Sequence, residues 1–281
     1  MKLHCTYRSL LLLLFCLCLQ ACTEIPPVIN PLGTVEPIDQ NEVVRKVLIE
    51  EFTGVRCVNC PAGTAEVLTL KEAYGERLVP VALHAGIFAN PYSDSQEEFE
   101  IAETRNLLTY LGSPLGYPTA VVNRKIFPDE RDLQLTKSLW APFIQQASEE
   151  TARLRLDLST NFDSTDRSLQ VNITATALED ILENQVNLSV MLVEDNVADV
   201  QLTPDGKKAD YNHRHNLRDM LTAFNGNALE TPISANSSLL RNYFYNLPDE
   251  WIAENCSIVA FVHLDGEEKE VLQVEEVKLI R

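Results

Sequence analysis

The sequence predicts an α/β domain over residues 43–150, followed by an all-β sandwich domain over residues 151–281. In the first region, short apolar runs alternate with longer segments whose apolar residues recur at helical spacing. In the second region, apolar and polar residues alternate with a period of two over several runs. Alternating strands and helices are typical of a layered α/β structure, and short strands with one apolar face are typical of a β-sandwich.

The first 21 residues are typical of a signal peptide. A basic start precedes the apolar run Leu10–Leu19, which is too short to span a membrane. The run ends in Leu-Gln-Ala-Cys22, which resembles a bacterial lipobox in which Cys22 is lipidated and becomes the first mature residue. The alternative is an ordinary cleaved signal that leaves Cys22 as a free thiol. Residues 22–42 hold four prolines and little periodicity, so they predict a flexible tether behind the lipid anchor.

The charge of the chain excludes one class of partner. The formal net charge is −18, and removal of Lys2 and Arg8 with a signal that contains no acids would make it −20. A chain this acidic repels phosphate backbones, which argues against nucleic-acid binding. The acids are spread along the sequence, so a solvated surface explains them without a special partner.

The elements of the α/β region follow one another in a regular order. Gly75 is a C-terminal stop for the first helix, and Asp94 with Glu97 has the spacing of a capping box for the second. The predicted strands cover residues 47–52, 78–84 and 119–123, and the predicted helices cover residues 61–74, 94–112 and 139–147.

The second region predicts an immunoglobulin-like sandwich because its strands are short and alternate apolar with polar residues. Residues 199–236 do not fit a simple strand, and we expect an irregular loop or a short helix there. The predicted strands cover residues 154–158, 169–177, 186–192, 239–247, 257–264 and 271–280.

A pair of cysteines separated by two residues, Cys57 and Cys60, lies between a predicted strand and a predicted helix. This placement is the redox signature of thioredoxin-like folds, because one thiolate can attack a foreign disulfide and the other can resolve the mixed disulfide. Cys57 comes just before the helix and next to Arg56, which favours a thiolate, and we expect Cys60 one turn in and more buried. In an exported protein the pair is the natural disulfide, and Cys256 is expected to be a buried apolar residue.

Two further features resemble thioredoxin-like proteins over residues 43–148. Pro118, in Gly-Tyr-Pro-Thr before a strand, matches the cis-proline that pairs with an extended substrate, and the alternative is an ordinary trans proline. Glu51 matches the buried acid that exchanges protons with the buried thiol, and the alternative is a solvent-exposed acid. The chain departs from that pattern in having Arg56 where a tryptophan is usual, and in an insertion around residues 87–112.

Other roles stay open for the cysteine pair and for two histidines. The Cys57/Cys60 pair could be a permanent staple, although so small a ring gives little entropic stabilisation, and a zinc site would need more ligands. His213 and His215 would share a face of an extended segment, where a metal site competes with ordinary surface or hydrogen-bonding roles.

The chain as a whole resembles the twenty-eight-kilodalton outer-membrane-protein family of Bacteroidota lipoproteins. The resemblance depends on the lipobox cysteine, on Glu50–Gly54 leading into the cysteine pair, on Gly116–Thr119 and on His213–Arg218. It implies an outer-membrane, lipid-anchored protein with a thioredoxin-like part. We expect no cofactor. Two functions follow as hypotheses: thiol–disulfide exchange on exported or envelope proteins that carry thiols or disulfides, or a non-enzymatic adhesin, receptor or assembly subunit with a structural disulfide.

Overall fold

The computed structural model describes residues 43–280, all of which lie within one compact unit. The predicted signal peptide, the lipidation at Cys22 and the tether of residues 22–42 lie outside the described residues. The helices are α1 (Cys60–Tyr74), α2 (Ala102–Tyr110) and α3 (Trp140–Ser148). No helix within residues 43–280 is long and apolar enough to cross a membrane. The strands are β1 (Val47–Thr53), β2 (Leu78–His84), β3 (Thr119–Val122), β4 (Leu135–Thr136), β5 (Leu154–Asp163), β6 (Ser168–Ala177), β7 (Val186–Glu194), β8 (Val197–Thr203), β9 (Gly206–His213), β10 (Asn216–Met220), β11 (Asn227–Ala228), β12 (Ser238–Asn246), β13 (Cys256–Leu264) and β14 (Val271–Lys278).

A nine-stranded mixed sheet forms the centre of the fold, in the order β14-β13-β7-β10-β2-β1-β3-β4, with β11 paired to β7. Strands β1 and β2 are parallel, with Val47 opposite Leu78, and α1 connects them. Strand β3 runs antiparallel to β1, with Ile49 opposite Val122. Parallel strands need such a crossover connection, which explains why a helix lies between the two.

Two smaller antiparallel sheets accompany the large one. Strands β12, β6 and β5 form a three-stranded sheet, and β8 pairs with β9 as a hairpin. The three-stranded sheet packs on β7, β13 and β14 through a shared core that includes Leu156, Val171, Leu188 and Ile258. The alternating residues of the second region therefore do form two packed sheets, but one of these sheets continues into the α/β region.

The alternation of side chains along β1 points successive residues to opposite faces of the large sheet. Leu48 and Phe52 share a core with residues of α2, β7 and β13 on one face. Ile49 shares a core with residues of α1 and α3, including Val67 and Trp140, on the other. A residue on β1 is therefore enclosed on either face, which explains why every residue of the strand is buried.

The two regions expected as separate domains are joined at β2. Strand β10 lies beside β2, with Asn216 opposite Ala82, and the Ala82 N–H donates to the His215 carbonyl at 2.7 Å. Without β10, this edge of β2 would leave unpaired backbone groups. The boundary near residue 150 therefore separates two sequence patterns within one compact unit, and the large sheet takes strands from both of them.

Two predictions for the connecting segments were wrong. Residues 199–236 are not an irregular loop or a short helix, because they include parts or all of strands β8 to β11. Helix α2 begins at Ala102 rather than at Asp94, and its first turn is closed by Thr104, which hydrogen-bonds the backbone of Ile101. Asp94 instead pairs with Lys207 at the tip of the β8–β9 hairpin.

Candidate functional site

The two cysteines of the predicted redox pair form a disulfide at the start of α1. A tight turn carries the chain from β1 into the helix, with the Cys57 N–H donating to the Gly54 carbonyl at 3.0 Å and the Cys60 N–H to the Cys57 carbonyl at 3.3 Å. Cys60 is the first residue of the helix rather than one turn in. Both side chains are buried, with Cys57 3% and Cys60 1% exposed, so the expected contrast between an accessible and a buried cysteine is small.

The inserted segment packs directly on the loop before the disulfide. A side-chain carbon at Gly54 would lie 2.4 Å from the backbone of Phe88, which explains why this position is glycine. The Arg56 N–H donates to the Phe88 carbonyl at 2.9 Å, and the Arg56 guanidinium donates to the Asn90 carbonyl and lies 4.1 Å from the centre of the Tyr92 ring. The guanidinium that was expected to assist the Cys57 thiolate therefore holds the insertion in place.

Glu51 is buried on the face of β1 that is covered by α1. Both of its carboxylate oxygens lie 3.4 Å from the Thr64 hydroxyl. Burial raises the pKa of Glu51 to about 8, and the hydrogen bond from Thr64 opposes that rise only in part. A solvent-exposed position for Glu51 is excluded, and a carboxyl with this pKa can accept or donate a proton near neutral pH.

The neighbouring acid, Glu50, occupies the opposite face of β1 and has a different environment. Arg124 binds both of its oxygens, at 2.7 and 2.8 Å, and both side chains are completely buried. This bidentate pair explains how a second acid is tolerated in the same strand. Glu50 therefore belongs to the core, and Glu51 lies against α1 at Gly63 and Thr64.

The Tyr117–Pro118 peptide bond is cis, which is the geometry expected from the resemblance. Pro118 packs against the first turn of α1 at Gly63, where a side-chain carbon would lie 2.7 Å from Pro118 Cβ and 2.6 Å from Glu51 Oε1. Gly63 thus allows the helix to contact both residues at once. Sequence reasoning missed Gly63, although a glycine inside the first turn of a helix is unfavourable enough to indicate a close approach.

A groove of about 500 Å³ lies beside Pro118, on the side of β3 and β4. Tyr117, Pro118 and Thr119 line it together with Leu115, whose side chain is fully exposed.

The β8–β9 hairpin supplies residues that the sequence did not connect with the disulfide. His213 of β9 and His84 of β2 enclose Phe99, with ring centres 4.6 Å from that ring in both cases. Burial lowers the pKa of His84 well below its usual value and that of His213 to about 4. Both rings are therefore neutral at physiological pH. The run His213–Arg218, on which the family resemblance partly depends, was the only sequence signal for this part of the site.

The two histidines of that run do not converge on one point. His215 lies beside Asp195, with Nδ1 3.2 Å from a carboxylate oxygen, whereas His213 lies in the cluster around Phe99. Within residues 43–280, no group of three or more His, Cys, Asp or Glu side chains is arranged to hold a metal ion. Cys256 is a buried free cysteine in β13, and burial raises its pKa to about 12, so it is an unreactive thiol at neutral pH.

Comparison with solved structures identifies relatives of the fold. HBP35 of Porphyromonas gingivalis matches with a TM-score of 0.66 at 19% identity, over 84% of this chain and 76% of that chain. Protein AGR_C_4864 from Agrobacterium tumefaciens matches with a TM-score of 0.50 at 12% identity, over 85% of this chain and 96% of that one. At these identities the likeness shows a shared fold with a large mixed sheet and does not transfer an activity. No curated protein matches the chain.

The family comparison concerns the larger, C-terminal part of the chain. The model of outer membrane protein Omp28 matches residues 109–280, which is more than half of the sequence. A domain of the outer membrane lipoprotein Omp28 from Porphyromonas gingivalis also matches, at 23% identity and a TM-score of 0.31, over 46% of this chain and 88% of that chain. The family match contains Pro118 and His213 but begins after Glu51 and the two cysteines. The chain belongs to the family of outer membrane protein Omp28.

Proposed function

We propose that this outer membrane protein has a thioredoxin-like site and performs thiol–disulfide exchange on exported or envelope proteins that carry thiols or disulfides. One observation carries the proposal. The Cys57–Cys60 disulfide begins α1, and a buried acid, Glu51, and a cis proline, Pro118, both pack against the same helical turn at Gly63. These are the groups that disulfide exchange requires: two thiols, a proton acceptor and a place for substrate backbone.

The order of elements around the site supports a thioredoxin-like arrangement of residues 43–150. Parallel strands β1 and β2 are joined by α1, β3 pairs antiparallel to β1, and β4 pairs antiparallel to β3. Helix α3 follows and packs on the same face as α1. The continuation of this sheet into β10 and β7 is an addition to that arrangement.

The role of each residue follows from its place. Cys57 precedes the first turn of α1, where unpaired N–H groups stabilise a thiolate, so it attacks the substrate. Cys60 resolves the mixed disulfide, and Glu51 exchanges the proton of Cys60 because its raised pKa lies near the working pH. Pro118 and the groove beside it bind an extended segment of the substrate. The predicted lipid at Cys22 and the tether behind it would hold this site at the membrane.

A non-enzymatic surface protein is the alternative, and two observations favour it. Both cysteines are almost completely buried, as in a structural disulfide. On the edge strand β12, two large apolar side chains, Leu240 and Phe244, are 65% and 75% exposed, and such side chains could contact an adhesion or assembly partner. In this alternative the Cys57–Cys60 disulfide only closes the loop before α1.

The reduction potential of the Cys57/Cys60 pair separates the two functions. A potential between about −270 and −120 mV supports turnover, and one well below about −300 mV supports a structural staple. In the same preparation, the reduced protein should reduce a disulfide-bonded protein substrate such as insulin. Cys57→Ser should abolish this reaction, and Cys256→Ala should leave it unchanged because Cys256 is remote from the disulfide and unreactive. A wild-type protein as inactive as Cys57→Ser would refute the proposed function.

A further inference from the structure

The β8–β9 hairpin is bound to the loop that carries the disulfide. The Gln201 side-chain amide donates to the Cys57 carbonyl at 3.1 Å and to the Gly54 carbonyl at 3.3 Å. The Leu202 N–H donates to the Val55 carbonyl at 2.8 Å. Strand β8 thus attaches the hairpin to both ends of the turn between β1 and α1.

Strand β9 closes the space behind Cys60. A cavity of about 10 Å³ remains there, which is room for about one water molecule. Two ring nitrogens, Nδ1 of His84 and Nε2 of His213, are buried without a hydrogen-bond partner, and both residues line this cavity together with Cys60, Thr64 and Tyr211. Polar groups without partners around a space of this size are what a single buried water would satisfy.

A chain of hydroxyl groups connects this space with the buried acid. The Tyr211 and Thr64 side chains line this space together, and the Thr64 hydroxyl lies 3.4 Å from each oxygen of Glu51. Tyr211 is half-buried, whereas Glu51 is enclosed. The three groups therefore form a path from the partly exposed hairpin to the enclosed carboxyl.

We propose that Thr64 and Tyr211 carry protons between solvent and Glu51, so that the β8–β9 hairpin completes the redox site from the C-terminal half of the chain. This inference rests on the proposed exchange activity and adds two residues to it. Neither residue touches the reacting sulfur atoms in this role, because both act through Glu51.

The exchange reaction shows when the path is needed. The Cys57 thiolate attacks one sulfur of the substrate disulfide, that S–S bond breaks, and the first substrate thiolate leaves and takes a proton from solvent. The Cys60 thiol then gives its proton to the Glu51 carboxylate. The resulting Cys60 thiolate attacks the Cys57 sulfur, forms the Cys57–Cys60 disulfide and releases the second substrate thiolate, which also takes a proton from solvent. Two electrons pass from the dithiol to the substrate.

In each turnover, Glu51 must lose its own proton before it can accept the proton of the Cys60 thiol. With a pKa raised to about 8, most Glu51 is protonated at neutral pH, and the path through Thr64 and Tyr211 would remove that proton. The other titratable groups around the same cavity are Cys60 on α1, His84 on β2 and His213 and Arg214 on or beside β9. The two histidines are neutral, so they do not supply the acid–base change.

The test measures the two steps of one turnover with a chromogenic aromatic disulfide. The first equivalent of coloured thiolate reports attack by Cys57, and the second reports resolution by Cys60. Tyr211→Phe and Thr64→Val should slow the second release at least about tenfold at pH 7 and move its rise, expected between pH 6 and 8 in the wild type, to higher pH. The first release and the reduction potential should stay unchanged, since a proton path alters neither.

Two control variants make the result decisive. Thr64→Ser keeps the hydroxyl and should resolve at nearly the wild-type rate, and Tyr243→Phe, on the three-stranded sheet, controls for loss of a tyrosine hydroxyl. If Tyr211→Phe and Thr64→Val resolve at the wild-type rate with the wild-type pH profile, the proton path is refuted while the exchange function stands. If the reduced wild-type protein releases neither equivalent, the exchange function and the path both fail. A changed reduction potential or slower first release in Tyr211→Phe would show a structural role and also overturn the proposal.

Discussion

Replacing Glu51 by glutamine should change how the stability of the protein depends on pH. The carboxyl has a pKa of about 8 in the folded protein, against 4.5 as its ordinary value. The folded state therefore holds this proton more tightly than the unfolded state, and stability is lost as the pH rises from 4.5 through 8. Each unit of pH in this range costs about 1.4 kcal/mol, so the wild type should lose about 3 to 4 kcal/mol between pH 5 and 8 relative to Glu51→Gln.

Urea unfolding of the oxidised protein at several pH values measures this difference. The buried histidines contribute equally to both proteins, so they cancel when the free energy of unfolding of Glu51→Gln is subtracted from that of the wild type. Glu72→Gln, on the exposed surface of α1, controls for the loss of one negative charge and should show no such trend. A difference between wild type and Glu51→Gln that stays constant from pH 5 to 8 would show that the carboxyl is not protonated by burial.

Two further predictions concern the packing around the same strand. Gly63→Ala should lower the free energy of unfolding by about 1 to 3 kcal/mol, because the added carbon would lie 2.6 Å from Glu51 Oε1 and 2.7 Å from Pro118 Cβ. Gly116→Ala, where an added carbon meets nothing within 4 Å, is the matched control in thermal unfolding, and an equal loss in both would contradict this account. Arg124→Met should cost about 3 to 5 kcal/mol because it leaves the buried Glu50 carboxyl without its partner. The double variant with Glu50→Gln should recover most of that loss in urea unfolding, and no recovery would mean that the cost arises from packing instead.

Strand β1 shows why two adjacent acids in this chain have different roles. Successive residues of a strand face opposite sides of the sheet, so Glu50 and Glu51 enter different cores although they are neighbours in sequence. Arg124 compensates the charge of Glu50 with two hydrogen bonds, whereas Glu51 has only the Thr64 hydroxyl. A carboxyl with no cation beside it is held protonated by burial, which suits proton exchange rather than structural pairing.

Local elements of the site followed from sequence patterns. The apolar run before the cysteines predicted β1, and the helical spacing after them, with Gly75 as a stop, predicted α1 to within one residue. The disulfide between Cys57 and Cys60 was also expected, from export and spacing. These features depend on residues close in sequence, which is why periodicity and turn chemistry were sufficient for them.

Other parts of the site could not be derived in this way. Asp94 and Glu97 have the spacing of a capping box, yet they bind Lys207 and Arg218, which lie more than 100 residues further along the chain. The segment that contains Gln201 has no clean strand period because β8 pairs only with β9 within residues 43–280 and its buried positions are consecutive rather than alternate. Its position over the disulfide depends on contacts with the loop before α1, and no local pattern reports such contacts.

The sequence by itself determined the cysteine pair, the helix that begins at it and the alternating strands of the second region, because each of these records local burial and backbone preference. It did not determine that the two regions share one sheet through β2 and β10, or that Tyr211 and His213 lie behind Cys60. Those arrangements depend on which strand fills the open edge of β2 and which surface the β8–β9 hairpin covers. Only the tertiary structure decided them. Any strand with suitable alternation satisfies the same local pattern, so the packing of the whole fold selects which strand pairs with β2.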